Sequence, residues 1–115
     1  MPKGNYILHR HSTQSEFVPT SHGVGEKRII ATQAEVGKPI TQIARTLLYT
    51  GEQVAMHIHP TMDEHFFFMG GECRVFIDGN TYNCVADDYL FIPAGCNHLI
   101  NVVKDTLILT IGIEK

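Results

Sequence analysis

The sequence has no basic stripe, no long apolar run and no paired-cysteine motif, and each absence removes a class of function. Lysine and arginine number 9 against 12 aspartates and glutamates, for a net charge of -3. Nothing is arranged to neutralise a phosphate backbone, so nucleic acid is not an expected partner. Nowhere do about 18 apolar residues run together, as a membrane-spanning helix requires. The start, MPKGNYILHRHST, has charges and histidines where a signal peptide needs a clean apolar stretch. A soluble, cytoplasmic protein with no membrane partner is the expectation. The three cysteines, Cys73, Cys84 and Cys96, are odd in number and lack CxxC spacing, which suits reduced thiols buried as small hydrophobes better than a disulfide framework. A length of 115 residues closes one hydrophobic core and leaves no room for a separate cofactor domain. Internal repeats, low-complexity runs and convincing helical periodicity are also missing.

What is present is a succession of short β-branched and aromatic segments: ITQIARTLLY, QVAMHIH, EHFFFM, CRVFID, TYNCV, YLFIP, HLINVV and LILTIGI. Their spacing of roughly 8–12 residues, with turn chemistry between them, predicts an all-β antiparallel sandwich or barrel of six to eleven strands. Asp78-Gly79-Asn80 tolerates the positive φ of a hairpin turn, and Gly51 and the Pro93–Gly95 stretch punctuate in the same way. Residues 28–115 are assigned to the barrel. Residues 1–27 mix Ser, Thr, His, Gly and Pro without periodicity and read as an N-terminal arm, a candidate to pair with a neighbouring subunit. FFFM is apolar on both faces, so its outer face needs a cover as well as its inner one. A homodimer is the expected means.

Chemistry concentrates in HIHPTMDEHFFFMGG, residues 57–71. Positions i and i+2 of a strand point to one face about 7 Å apart, so His57 and His59 project together while Ile58 turns away. Pro60 ends that strand, and Glu64 begins the next with its carboxylate returning to the same space. Alternation then puts Phe66 and Phe68 on the face of Glu64, where they wall and dry an interior, and sends Phe67 and Met69 outward. Burying such a polar group is costly without a charge to hold it. A fourth ligand is expected from a distant strand, and His98, just after the Pro93–Gly95 turn, is the late histidine available. Three imidazoles and a carboxylate suit a divalent transition ion: Zn, Mn, Fe or Ni.

At these residues the sequence resembles a known family. Gly51, His57, His59, Glu64 and Gly71 match every fixed position of the first motif of the cupin superfamily, and residues 87–101 resemble its second motif through Pro93, Gly95 and His98. Asp87 stands where that motif usually opens with glycine, and Asn101 falls one residue earlier than the usual asparagine. The resemblance implies a small single-domain metal-binding cupin, an antiparallel double-stranded β-helix or jelly-roll barrel. It implies a metal site and not a particular reaction, since cupins differ widely in chemistry.

Other polar residues carry two readings each. His65 follows Glu64 and is expected on the outer face. His9 and His11 repeat the i, i+2 spacing without a carboxylate downstream and are read as arm residues. In TSHGVGEKR, the residues Ser21, His22, Lys27 and Arg28 form either an anion-binding loop or a solvated turn. Gln42 and Arg45 face opposite sides of one strand, so at most one enters the cavity. The candidate substrate contacts are Arg45, Phe66, Phe68 and Cys96, and Tyr49, Tyr89 and Cys96 are the candidate acids or bases. An octahedral ion with four protein ligands keeps two positions open. That permits Lewis-acid isomerase or lyase chemistry on a small hydroxy or keto compound or sugar derivative, Fe(II)-dependent dioxygenation, or non-catalytic binding and sensing of a small ligand.

Overall fold

The computed structural model describes residue 8 and residues 10–115, so His9 lies outside the described residues. Eight strands follow in order: β1 (Phe17–Pro19), β2 (Glu26–Thr32), β3 (Ile40–Leu48), β4 (Gln53–His57), β5 (Met62–Ile77), β6 (Asn80–Val85), β7 (Tyr89–Ile92) and β8 (His98–Glu114). Every ladder is antiparallel. The helical pieces among the described residues are a 3-10 turn at Ser12–Gln14 and a four-residue helix, α1 (Gln33–Val36). No helix there is long and apolar enough to cross a membrane.

Two strands are longer than the segments visible in the sequence. EHFFFM and CRVFID are halves of the 16-residue β5, and HLINVV and LILTIGI are halves of the 17-residue β8. These strands pair from Met62 against Glu114 to Ile77 against His98 and bend together. Their first and last halves, respectively, join β7, β3, β2 and β1 in one layer. The remaining halves join β4 and β6 in the other. The two layers form the antiparallel barrel that the strand spacing predicts, with the jelly-roll arrangement that the resemblance implies.

The bend has a local cause. The β5–β8 register shifts between Phe68 and Cys73, and the extra residue reverses which side chains face inward. Phe66 and Phe68 are buried before the bulge, and Cys73, Val75 and Ile77 after it. Gly71 sits in the bulge at φ 95°, where an added Cβ would lie 2.2 Å from the Asp105 carbonyl oxygen. Further on, Asp78 and Gly79 both take positive φ between the paired Ile77 and Asn80, a two-residue hairpin whose twist matches its strands.

The described part of the arm finds a partner within its own chain. β1 pairs with the edge of β2, the Ser15 hydroxyl donates to the Ile29 carbonyl at 2.8 Å, and Arg28 donates to the Ser15 carbonyl at 2.6 Å. β2 begins at Glu26, so the expected division at residue 28 falls inside a strand.

Candidate metal centre

His57, His59, Glu64 and His98 meet at one end of the barrel. Each offers one ligand atom, and all four atoms lie within 4.8 Å of one another. The assembly joins the two layers: His57 closes β4, His59 follows it, Glu64 stands on β5, and His98 opens β8 directly opposite His57. Alternation delivers Glu64 and Phe66 to the interior and His65 and Phe67 to the outside, as the sequence predicts.

The rings are already oriented for a cation. His57 Nδ1 lies 2.7 Å from the Ala55 carbonyl oxygen, and His98 Nδ1 lies 3.1 Å from that of Cys96. A proton on each Nδ1 satisfies those carbonyls and leaves the Nε2 lone pair free, the arrangement that fixes metal-binding imidazoles. The Nε2 atoms of His59 and His98 lie 3.4 and 3.3 Å from Glu64 Oε1. All three atoms are buried without a hydrogen-bond partner. Unsatisfied buried groups are costly, and two lone pairs and a carboxylate oxygen converging on one point are stabilised together by a divalent cation. The residues therefore fit a metal.

The protonation equilibria reflect this crowding. Burial pushes the Glu64 carboxyl up, but His98, His59 and His57 outweigh it, and the group lies below its ordinary range. Burial lowers His98, yet Glu64 and the Cys96 carbonyl outweigh that effect and raise it. His57 is lowered, chiefly by burial.

Beside the four residues lies a cavity of about 120 Å³ with a divided wall. Leu48, Val54, Phe66, Ile100 and Ile108 supply its apolar part, and Ser21, His22, Lys27, Gln42, Thr46 and Thr110 its polar part. Phe66 thus reaches the cavity, and three other candidate contacts do not. Arg45 lies on the outer side of β3 beside Phe17, Arg28 and Leu47, with Nη1 donating to the Ser12 hydroxyl at 3.1 Å. Strand parity leaves the inward place to Gln42. Phe68 is wholly buried in the core, its ring edge-on to Phe66. Cys96 packs against the core, and its thiol is pushed up by a hydrogen bond to Asp78.

The sequence offers Ser21, His22, Lys27 and Arg28 as an anion-binding loop or a solvated turn, but not as part of the wall beside the histidines. Thr20, Ser21 and His22 line the cavity, and the His22 ring centroid lies 4.6 Å from that of His57. Burial and the neighbouring His57 lower His22 to about 4, so it is neutral at physiological pH. The loop reaches inward because Gly25, at φ 70°, passes close to β3: a Cβ there would sit 2.2 Å from the Leu47 carbonyl oxygen. The two glycines of SHGVG were the available signal. His11 instead caps the 3-10 turn. His65 bonds the Tyr89 hydroxyl at 2.6 Å on the outer face, and the Tyr49 hydroxyl bonds Glu26.

Comparison with known proteins agrees with this geometry. The family described as "Cupin domain" matches residues 44–111, more than half of the chain, which therefore belongs to the cupin family. The chain is 29% identical over 90 residues to polyketide synthase CurC of Streptomyces cyaneus, covering 78% of this chain and 58% of that protein. It is 28% identical over 97 residues to quercetin 2,3-dioxygenase of Bacillus subtilis, covering 76% of this chain and 29% of that protein. The chain thus spans less than two thirds of either relative. Among solved structures, a predicted oxalate decarboxylase from Thermotoga maritima superposes with a TM-score of 0.82 at 21% identity, covering 94% of this chain and all of the other, a likeness of fold.

Proposed function

We propose that this cupin holds one divalent transition ion (Zn, Mn, Fe or Ni) through His57, His59, Glu64 and His98. On this reading it converts a small hydroxy or keto acid or sugar derivative by isomerase- or lyase-type chemistry. The observation that carries the reading is the set of three buried, unpartnered polar atoms on His59, Glu64 and His98 at the wall of a cavity. When bound, such an ion polarises a substrate oxygen. The chain's own residues do the rest. Leu48, Val54 and Ile108 exclude water, Ser21 and Gln42 offer hydrogen bonds, and His22, neutral and beside His57, offers a lone pair or an N–H. A volume of about 120 Å³ is well below the roughly 300–1,000 Å³ of sites for drug-sized ligands, which favours a compact metabolite.

The Bacillus relative's name supports a second reading, oxygen-dependent chemistry. Binding without turnover is the third reading. One series of measurements separates the three. Protein purified without chelator is analysed for metal, then followed by oxygen electrode and by NMR with small hydroxy and keto acids and sugar derivatives. The expected result is one ion per chain and substrate conversion without oxygen uptake. Oxygen uptake transfers the assignment to dioxygenation, binding without conversion to sensing, and failure to retain any added divalent ion overturns the metal reading.

The outer sheet face bears on assembly. Phe67, Met69, Tyr89 and Phe91 are 39%, 46%, 58% and 43% exposed beside a groove lined by Leu109, Ile111 and Ile113. We propose that a second copy covers this face, because a contiguous exposed apolar patch marks an interaction site and a two-fold axis lets one patch cover its own copy. Light scattering at micromolar concentration is expected to give the dimer mass, and Phe67→Glu the monomer. A monomeric parent protein overturns the proposal.

A further inference from the structure

The two cations adjacent in GEKR part company in the fold. Arg28 pairs in register with Arg45 on the outer side of the sheet, stacks its guanidinium 4.0 Å above the Phe17 ring and donates to the Ser15 carbonyl. Lys27, in register with Thr46, turns inward and lines the cavity. Of the described residues that line it, Lys27 is the one lysine or arginine.

We infer that Lys27, oriented by Gln42, is the anion-recognition residue of the metal cavity, and that the ligand is a small carboxylate, a 2-oxo or 2-hydroxy acid. This rests on the metal reading above, which puts the reacting oxygen of the ligand at the histidine cluster and its carboxylate at Lys27. Four observations support it. Lys27 Nζ donates to Gln42 Oε1 at 2.8 Å, which fixes the ammonium and leaves two of its three N–H donors for a ligand. No carboxylate among the described residues forms an ion pair with it. The hydroxyls of Thr46 and Thr110 pair with each other at 3.2 Å rather than with the ammonium.

The fourth observation is the balance of charge. Burial pulls Lys27 below its ordinary range while Glu64 acts in the opposite sense, so the ammonium's electrostatic support is the same carboxylate that faces the three imidazoles. With a divalent ion in place, Glu64 would be outweighed, and the wall would carry excess positive charge both at Lys27 and at the histidine cluster. An anion spanning the two relieves both; a neutral sugar relieves neither. Lysine is a compact point charge rather than a planar fork, and one lysine with one amide matches one carboxylate.

The test compares pyruvate and glycolate with hydroxyacetone, a neutral analogue of pyruvate, by calorimetric titration of zinc-loaded and of metal-free protein. Zinc content is measured separately in every preparation. The loaded parent protein is expected to bind a carboxylate roughly tenfold or more tightly than hydroxyacetone. Lys27→Met, which keeps the length of the side chain, removes that preference at unchanged zinc content. Gln42→Glu does the same with Lys27 still present, because an internal carboxylate then occupies the ammonium. No preference in the parent protein, or an unchanged preference in Lys27→Met, overturns the inference. A chain that takes up no added divalent ion but retains a Lys27-dependent preference refutes the metal reading and leaves only the carboxylate-binding role of Lys27. Zinc uptake with no carboxylate preference does the reverse.

Discussion

His59→Ala is expected to release the divalent ion, lowering affinity roughly a hundredfold or more, while His65→Ala binds it as the parent protein does. His59 Nε2 is one of the cluster's three buried atoms without a hydrogen-bond partner, and its loss removes an imidazole that no neighbour replaces. His65 lies across the strand, bonded to Tyr89, and contributes nothing to the cluster. Metal analysis after dialysis distinguishes the two variants. Thermal melts in their metal-free forms check the fold, which is expected to persist because the buried apolar cluster does not include His59. Added metal stabilises the parent protein and His65→Ala by mass action and leaves His59→Ala unmoved. Affinity in the parent protein falls with falling pH, since the ligands must shed their protons to bind metal and His98 holds its proton to higher pH than an ordinary histidine. The opposite pattern, an empty His65→Ala and a loaded His59→Ala, means that the faces of β5 are misassigned by one residue.

Gly71→Ala is expected to destabilise the protein by at least about 3 kcal/mol, whereas Gly70→Ala, one residue earlier, changes stability by less than about 1 kcal/mol. Gly71 combines a left-handed φ of 95° with a position where a Cβ would meet the Asp105 carbonyl at 2.2 Å and the Thr106 Cα at 2.5 Å. Those are backbone atoms of the paired strand and cannot swing aside. Gly70 has open space around its missing Cβ and no positive φ. Urea denaturation of the pair measures the difference directly. Equal stabilities would show that the β5 bulge is not a rigid bend.

The consequences of Gly71 extend to the site. The bulge lets β5 present Glu64 and Phe66 to the cavity in one layer and Cys73 and Val75 to the core in the other. A strict alternation carried through from Phe66 would have turned Cys73 and Val75 outward. The sequence marks the position with paired glycines, but it does not say how many residues the register slips. In the same way EHFFFM and CRVFID read as two strands, because a bulge and a turn both appear in sequence as a gap in the pattern.

The sequence by itself determined the features that depend on local spacing: an all-β chain, Phe66 on the face of Glu64, His65 and Phe67 on the opposite face, and a hairpin at Asp78-Gly79. Strand geometry repeats every two residues, so relative orientation within a strand needs no knowledge of its surroundings. Tertiary structure alone decided which parity faces inward where both sides look plausible. β3 could have offered Arg45 or Gln42, and packing against β2 and β8 chose Gln42. It alone brought Thr20, Ser21 and His22 from the arm to the cavity, and turned Lys27 rather than Arg28 inward. A period of two states which residues share a face; only the layer packed against a strand states which face is inside.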